Sequence, residues 1–215
     1  MNRAASAADL ARAAQAAGVG DARVLAAIIA TPRAEFVPRR YVTAAYRDEP
    51  IPIGHGQVTT QPSLSARMIE GLRLADSDHV LEIGTGLGFQ TALLARLAAE
   101  VVSIERWPEL ANQARRNLAR HGIRNADVLA GDGSRGLPDR APYDAILVSA
   151  AFPEVPAPLA AQLRVGGRLV QPIGPGGQEQ VVLFERSAAG LRPLQVLTLA
   201  RFVRLYGRHG FRSRS

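Results

Sequence analysis

Leu81-Glu82-Ile83-Gly84-Thr85-Gly86-Leu87-Gly88 leaves a short apolar run, His79 to Ile83, and enters a helical pattern, Phe89 to Ala98. Glycines in a strand-to-helix turn adopt backbone angles closed to other residues and let a ligand approach the main chain. They do so at a helix N-terminus and at the carboxyl edge of a sheet. The triplet alone is weak evidence, since an ordinary turn of this kind uses the same residues.

Two acids further along strengthen it. Glu105 ends the next apolar run about 21 residues beyond Gly84, where a carboxylate accepts hydrogen bonds from ribose hydroxyls. Asp132, in Gly131-Asp132-Gly133, follows the third run, where a side chain meets an adenine edge. Glycines and acids at three successive strand ends describe a nucleoside pocket. Its candidate residues are Glu82, Gly84, Thr85, Gly86, Gly88, Glu105, Arg106, Asp132 and Gly133, with Trp107 either flanking the base or packed in the core.

Spacing narrows the cofactor. A dinucleotide fingerprint places its third glycine three residues after the second, whereas Gly84, Gly86 and Gly88 are each two apart. Glu82 stands two residues before the first glycine. A cofactor without pyrophosphate needs no full phosphate cradle, and one bearing an amine and a sulfonium favours nearby acid. From His79 to Phe184 the pattern resembles the S-adenosylmethionine-dependent methyltransferase fold, whose first motif reads acid-x-Gly-x-Gly-x-Gly.

Around the motif, His79 to Ile83, Val101 to Glu105, Ala126 to Ala130, Ala145 to Ser149, Arg168 to Pro172 and Gln180 to Glu185 read as strands. Phe89 to Ala98, Pro108 to His121 and Ala157 to Arg164 read as helices between them. Such alternation gives right-handed crossovers and an α/β, doubly wound, mostly parallel sheet. Gln180 to Glu185 and Gln195 to Val203 have no intervening helix, which predicts an antiparallel C-terminal edge. Upstream, helices are expected around Leu10 to Ala17, Asp21 to Ala30 and Ser63 to Leu74. Thr31 to Pro62, punctuated by five prolines, reads as an ordered but irregular cap anchored by Phe36, Tyr41, Ile51 and Ile53. The expected organisation is a helical and irregular cap over 1–78, a cofactor-binding core over 79–185, and an edge strand with a basic tail over 186–215.

The chain has 215 residues, 47% hydrophobic and 21% charged, enough for one sizeable core. No run approaches the roughly 20 apolar residues of a membrane span. Cysteine is absent, which removes disulfides and thiol nucleophiles and permits a reducing, cytoplasmic setting. The net charge of +7 raises a nucleic-acid partner, but every basic residue is arginine, scattered among acids. The densest stretch is the tail with Arg201, Arg204, Arg208, Arg212 and Arg214, and a solvated basic surface is the better reading. Arg3 and Arg12 among alanines superficially suggest a transit peptide, without a secretory apolar core. His79, His121 and His209 have no metal-ligand spacing, so no metal is expected.

A narrower resemblance appears in the flanks. Thr31-Pro32-Arg33-Ala34-Glu35-Phe36-Val37-Pro38, Pro52-Ile53-Gly54-His55-Gly56-Gln57-Val58-Thr59-Thr60-Gln61-Pro62, Gly131-Asp132-Gly133, Ala141-Pro142-Tyr143-Asp144, Gln162-Leu163-Arg164-Val165-Gly166-Gly167-Arg168-Leu169 and Phe202-Val203 follow in order. Together they resemble the protein-L-isoaspartate O-methyltransferase family over nearly all of residues 24–210.

The resemblance implies a repair enzyme that methylates the free α-carboxylate of isoaspartyl residues in proteins or peptides, and a monomer is the expected state. The ester is a better leaving group, so a succinimide re-forms and part of it opens to normal aspartate. It implies Thr60 as the residue beside the transferred methyl, with Ile53, His55, Thr59 and Tyr206 around the substrate. Two positions depart from the family pattern: Thr60 stands where serine is usual, and Arg204 replaces the proline of a Phe-Val-Pro-Leu string. Two other readings are a methyltransferase of a small molecule, modified peptide or RNA with a diverged cap, and a silent S-adenosylmethionine binder. The Thr60 hydroxyl and the complete cap argue against silence.

Overall fold

The computed structural model describes residues 5–212, so Arg3 and Arg214 lie outside the described residues. Its elements are α1 (Ala7–Ala16), α2 (Ala22–Ile29), β1 (Pro52–Gly54), β2 (Gln57–Val58), α3 (Pro62–Leu72), β3 (His79–Ile83) and α4 (Phe89–Ala95). There follow β4 (Glu100–Glu105), α5 (Pro108–Arg120), β5 (Ala126–Ala130), β6 (Tyr143–Val148), α6 (Ala157–Gln162), β7 (Leu163–Ile173), β8 (Glu179–Ser187) and β9 (Gly190–Ala200).

Seven strands form one sheet in the order β5-β4-β3-β6-β7-β8-β9. The first five are mutually parallel, and β8 and β9 turn back antiparallel as expected. The chain moves outward from β3 through β4 to β5, then returns to the other side of β3 as β6. That reversal opens a crevice at the carboxyl ends of β3 and β6, where α/β sheets bind ligands.

The apolar runs become central strands because both faces are covered. Val80, Val101, Ala145 and Leu147 pack beneath α1 to α5. Leu81, Ile83, Val102, Ile104 and Ile146 pack on the opposite side. The second face is thinner: α6 with Leu159 and the C-terminal segment with Leu205 cover it.

α5 shows why its sequence is helical. Pro108 occupies its first turn, Leu110, Ala111, Ala114 and Leu118 are buried along one face, and Gly122 follows at φ +66°.

Several boundaries differ from the sequence reading. α4 stops at Ala95, three residues early. α6 stops at Gln162, and Leu163 already pairs with Tyr143 as the start of β7. Arg186 donates to the carbonyls of Ala160 at 2.9 Å and Ala161 at 2.6 Å, which closes the helix. β9 begins at Gly190 and ends at Ala200, so Phe202 and Val203 lie beyond it. The irregular cap contains two 3-10 turns, Arg33–Phe36 and Arg39–Ala44, and the small β1-β2 hairpin.

Candidate active site

Gly84, Gly86 and Gly88 take φ of +97°, +56° and +91°, which lets the loop fold back at the crevice between β3 and β6. Gly86 N donates to Glu105 Oε2 at 2.8 Å, and Trp107 N to Glu105 Oε1 at 3.0 Å. Glu105 is therefore clamped between two strand-end loops. Burial pushes its carboxyl above the ordinary range, and the backbone N–H donors pull it back. A Cβ on Gly86 would meet Ile53 Cδ1 at 3.2 Å, so the hairpin rests directly on the glycine loop.

These residues wall a solvent-open cleft of about 930 Å³. Among the predicted cofactor residues, Gly84, Thr85, Gly86, Glu105, Arg106 and Gly133 line it, whereas Glu82, Gly88 and Asp132 do not. Glu82 is fully buried on the helix-covered face. It accepts from Gln90 Nε2 at 3.0 Å, Thr91 Oγ1 at 2.5 Å and Ser103 Oγ at 2.6 Å, while Ser103 Oγ lies 2.5 Å from Thr85 Oγ1. Loss of water raises its pKa, and the three donors only partly offset this. Asp132 faces the C-terminal segment, accepting from Ser134 N, Ser134 Oγ and Arg208 N at 3.0, 2.6 and 2.7 Å. Burial works to raise its carboxyl, but these hydrogen bonds prevail and hold it below the usual range.

Across the mouth runs a stack of rings. His55, at the hairpin tip, lies 4.2 Å from Trp107 with planes 17° apart, and the Arg106 guanidinium sits over both Trp107 and Tyr206. Ile53 packs with Leu87 and Leu110 beside Trp107, so neither it nor His55 reaches the cleft wall; Thr59, Thr60, Trp107 and Tyr206 do. Thr59 Oγ1 is consumed by the fold, accepting from Arg33 Nη2 at 2.8 Å and Ile51 N at 3.0 Å. The Thr60 side chain lines both this cleft and a second cavity, and has no hydrogen-bond partner among the described residues.

The profile of the protein-L-isoaspartate(D-aspartate) O-methyltransferase family matches residues 5–210. The chain belongs to this family. A protein-L-isoaspartate O-methyltransferase of Methanoculleus marisnigri is 49% identical over 197 residues, covering 92% of this chain and 89% of the relative. One from Myxococcus xanthus is 50% identical over 196 residues, covering 88% and 91%. A solved protein-L-isoaspartate O-methyltransferase superposes with a TM-score of 0.78 at 31% identity, over 94% of this chain and 66% of that one. A Plasmodium falciparum structure, 21% identical, shares the fold at the same TM-score. This isoaspartyl methyltransferase uses S-adenosylmethionine and acts in protein repair.

The cleft suits that cofactor on its own chemistry. Gln90 Oε1 and Ser65 Oγ are buried without protein partners and line it, an acceptor and a hydroxyl available to an ammonium and a carboxylate. Neither was singled out by the sequence. Ser149, whose hydroxyl accepts from Gln90 Nε2 at 2.8 Å, was also passed over. Its place at the end of the fourth parallel strand was the available signal.

The methyltransferase's cap depends on another residue that sequence reasoning missed. Arg33 is 0% exposed and donates to the carbonyls of Ala45, Arg47 and Glu49 at 2.9–3.0 Å, besides Thr59. Burial lowers its pKa to about 10, with Asp48 opposing, so it remains charged at neutral pH. Asp48 in turn accepts from Ser63 N, Ser63 Oγ and Gln61 Nε2. The segment carrying Thr60 is thus tied down on both sides.

Two predictions follow from these buried charges. Arg33→Met should raise amide hydrogen exchange across residues 45–59 more than tenfold while β3 and β6 stay protected, because removing a buried cation strands its acceptors. For Glu82, the folded pKa lies above the ordinary 4.5. Its protonation therefore favours folding below that value, and the contribution is lost as pH climbs through the raised one. Glu82→Gln should begin less stable in acid, and its deficit in urea unfolding should shrink as pH rises.

Proposed function

We propose that the methyltransferase seats S-adenosylmethionine on the glycine loop and Glu105, and presents the free α-carboxylate of an isoaspartyl residue at Thr60. The observation that carries this reading is the position of Thr60: an unpartnered hydroxyl where the cofactor cleft meets the second cavity. Glu105 lines the cleft, held by the backbone N–H groups of Gly86, Arg106 and Trp107, and its remaining lone pairs would serve a ribose diol. The buried, unpartnered Gln90 Oε1 and Ser65 Oγ on the cleft wall support this reading: the first would accept from the cationic amine and the second would donate to the cofactor carboxylate.

Bound S-adenosylmethionine supplies an electrophilic methyl carbon. The chain's work is to deliver an acceptor oxygen in line with it and to keep water out. Thr60 O–H would donate to one carboxylate oxygen and so orient the acceptor, leaving its other oxygen free to react. No general base is needed, since a carboxylate of ordinary pKa, about 3.3 to 3.9, is ionised at neutral pH. His55 belongs to this arrangement through its stack on Trp107, which closes the hairpin over the cleft. Among the described residues no helix is long and apolar enough to cross a membrane. The proposed setting is a cytoplasmic monomer acting on peptide segments rather than nucleic acid, supported by the lack of cysteine and the interspersed charge.

Thr60→Val keeps the branched shape and removes only the hydroxyl. A hydrogen bond to a charged group is worth about 1.5–3 kcal/mol, so methyl transfer to an isoaspartyl peptide should fall ten- to a hundredfold with calorimetric cofactor affinity unchanged. Equal activity would move acceptor orientation to backbone groups. The pH profile offers a separate check: kcat/KM should show no limb with a histidine-like pKa between about pH 6 and 8, in particular no fall toward acid pH from a general base, and His55→Gln should stay active. A thousandfold loss with a matching change in the profile would assign His55 to proton chemistry.

A further inference from the structure

The second cavity, about 1050 Å³ with the open space at its mouth, runs from Thr60 between the N-terminal half of α3 and the chain leaving β9. It shares Val58, Thr59, Thr60, Ser149 and Val203 with the cofactor cleft. Its charged lining residues are Arg67 and Arg201; no Asp or Glu lines it.

Neither arginine has an ion pair among the described residues, although Arg67 also borders a third cavity that Asp21 and Glu70 line. Arg201 is exposed and has no ion pair, hydrogen bond or ring contact among the described residues. Arg67 donates to the carbonyl of Leu197, which is uncharged. Asp48, behind the start of α3, has its carboxylate engaged by Gln61 and Ser63. Further in, Arg204 lines the cofactor cleft with its guanidinium over Phe211 at 5.1 Å and no carboxylate partner among the described residues. An acceptor α-carboxylate at Thr60 brings a single negative charge, so the groove beyond it stays cationic.

We propose that Arg67 and Arg201, with Arg204 at the inner end, make this enzyme selective for isoaspartyl residues flanked by Asp or Glu. The selection rests on the acceptor groove assigned above. A peptide laid from Thr60 along the cavity passes two guanidinium groups whose hydrogen-bonding forks match carboxylates. Acidic neighbours meet attraction there, and lysines meet like charge with no acid to relieve it. Partial exposure keeps each contact modest, on the order of a two- to fivefold effect per charge. The contacts weaken as salt shortens the screening length.

The test compares three isoaspartyl peptides that differ only in the two neighbours on each side: Glu, Gln or Lys. At low salt kcat/KM should fall in that order, with roughly tenfold or more between Glu and Lys peptides. The ratio should contract at 0.5 M salt. R67Q/R201Q should bring it within about twofold, and R201E, at an exposed position, should favour the Lys peptide. Equal kcat/KM for the three peptides in the parent enzyme, or a ratio untouched in R67Q/R201Q, overturns the charge selection and leaves the acceptor site standing. If none of the three accepts methyl while cofactor binds normally, the acceptor assignment fails and the selection fails with it.

Discussion

The glycine loop can bend toward a ligand because the carboxylate of Glu82 lies fixed beneath it. That side chain has no access to water and gathers Gln90 and Thr91 of α4 together with Ser103 of β4. Strand, helix and neighbouring strand are thereby joined immediately below Gly84. A buried carboxylate is tolerable only when donors satisfy it. Here those donors are the residues whose relative placement defines the cleft, and through Ser103 the network extends to Thr85 on the cleft wall.

The cap uses the same principle with the opposite charge. Arg33 has no exposure, and its guanidinium is met by carbonyls and a hydroxyl rather than by a carboxylate at hydrogen-bond distance. An irregular segment with five prolines has few ladder hydrogen bonds of its own. A planar donor fork supplies the missing partners and fixes their directions. Thr59 is spent in this way, whereas the neighbouring Thr60 lines the cleft with no hydrogen-bond partner among the described residues.

The two faces of the sheet divide the work. Five helices on one face hold the strands in register, while the other face is closed by the short α6 and the C-terminal segment around Leu205. That segment also reaches the loop after β5, where Asp132 and Ser134 accept from the main chain of Arg208 and His209. Hairpin, strand-end loop and C-terminal segment meet in the stack of His55, Trp107, Arg106 and Tyr206, so the cleft is framed by chain from both halves of the sequence.

Much of this was legible in the sequence. Apolar runs alternating with helical periods gave the parallel sheet, and the missing last helix gave the antiparallel edge. Residues of the glycine loop and Glu105 are near in sequence or one crossover apart, so spacing alone placed them together. The roles of Glu82, Asp132 and Arg33 were not legible, because a charge's function depends on what surrounds it in space. Glu82 reads as a ligand-facing acid until strand alternation and the cover of α4 put it inside. Asp132 reads only as a strand-end acid, and its second task, holding the C-terminal segment through Arg208 N, depends on a residue far along the chain. Arg33 reads as one more scattered arginine until the cap folds around it. Sequence determined the elements, their order and the cofactor loop, since these follow from local periodicity and turn chemistry. Only the tertiary structure decided which polar groups remain unpaired and face the cleft, because hydrogen bonds between residues distant in sequence use up the others.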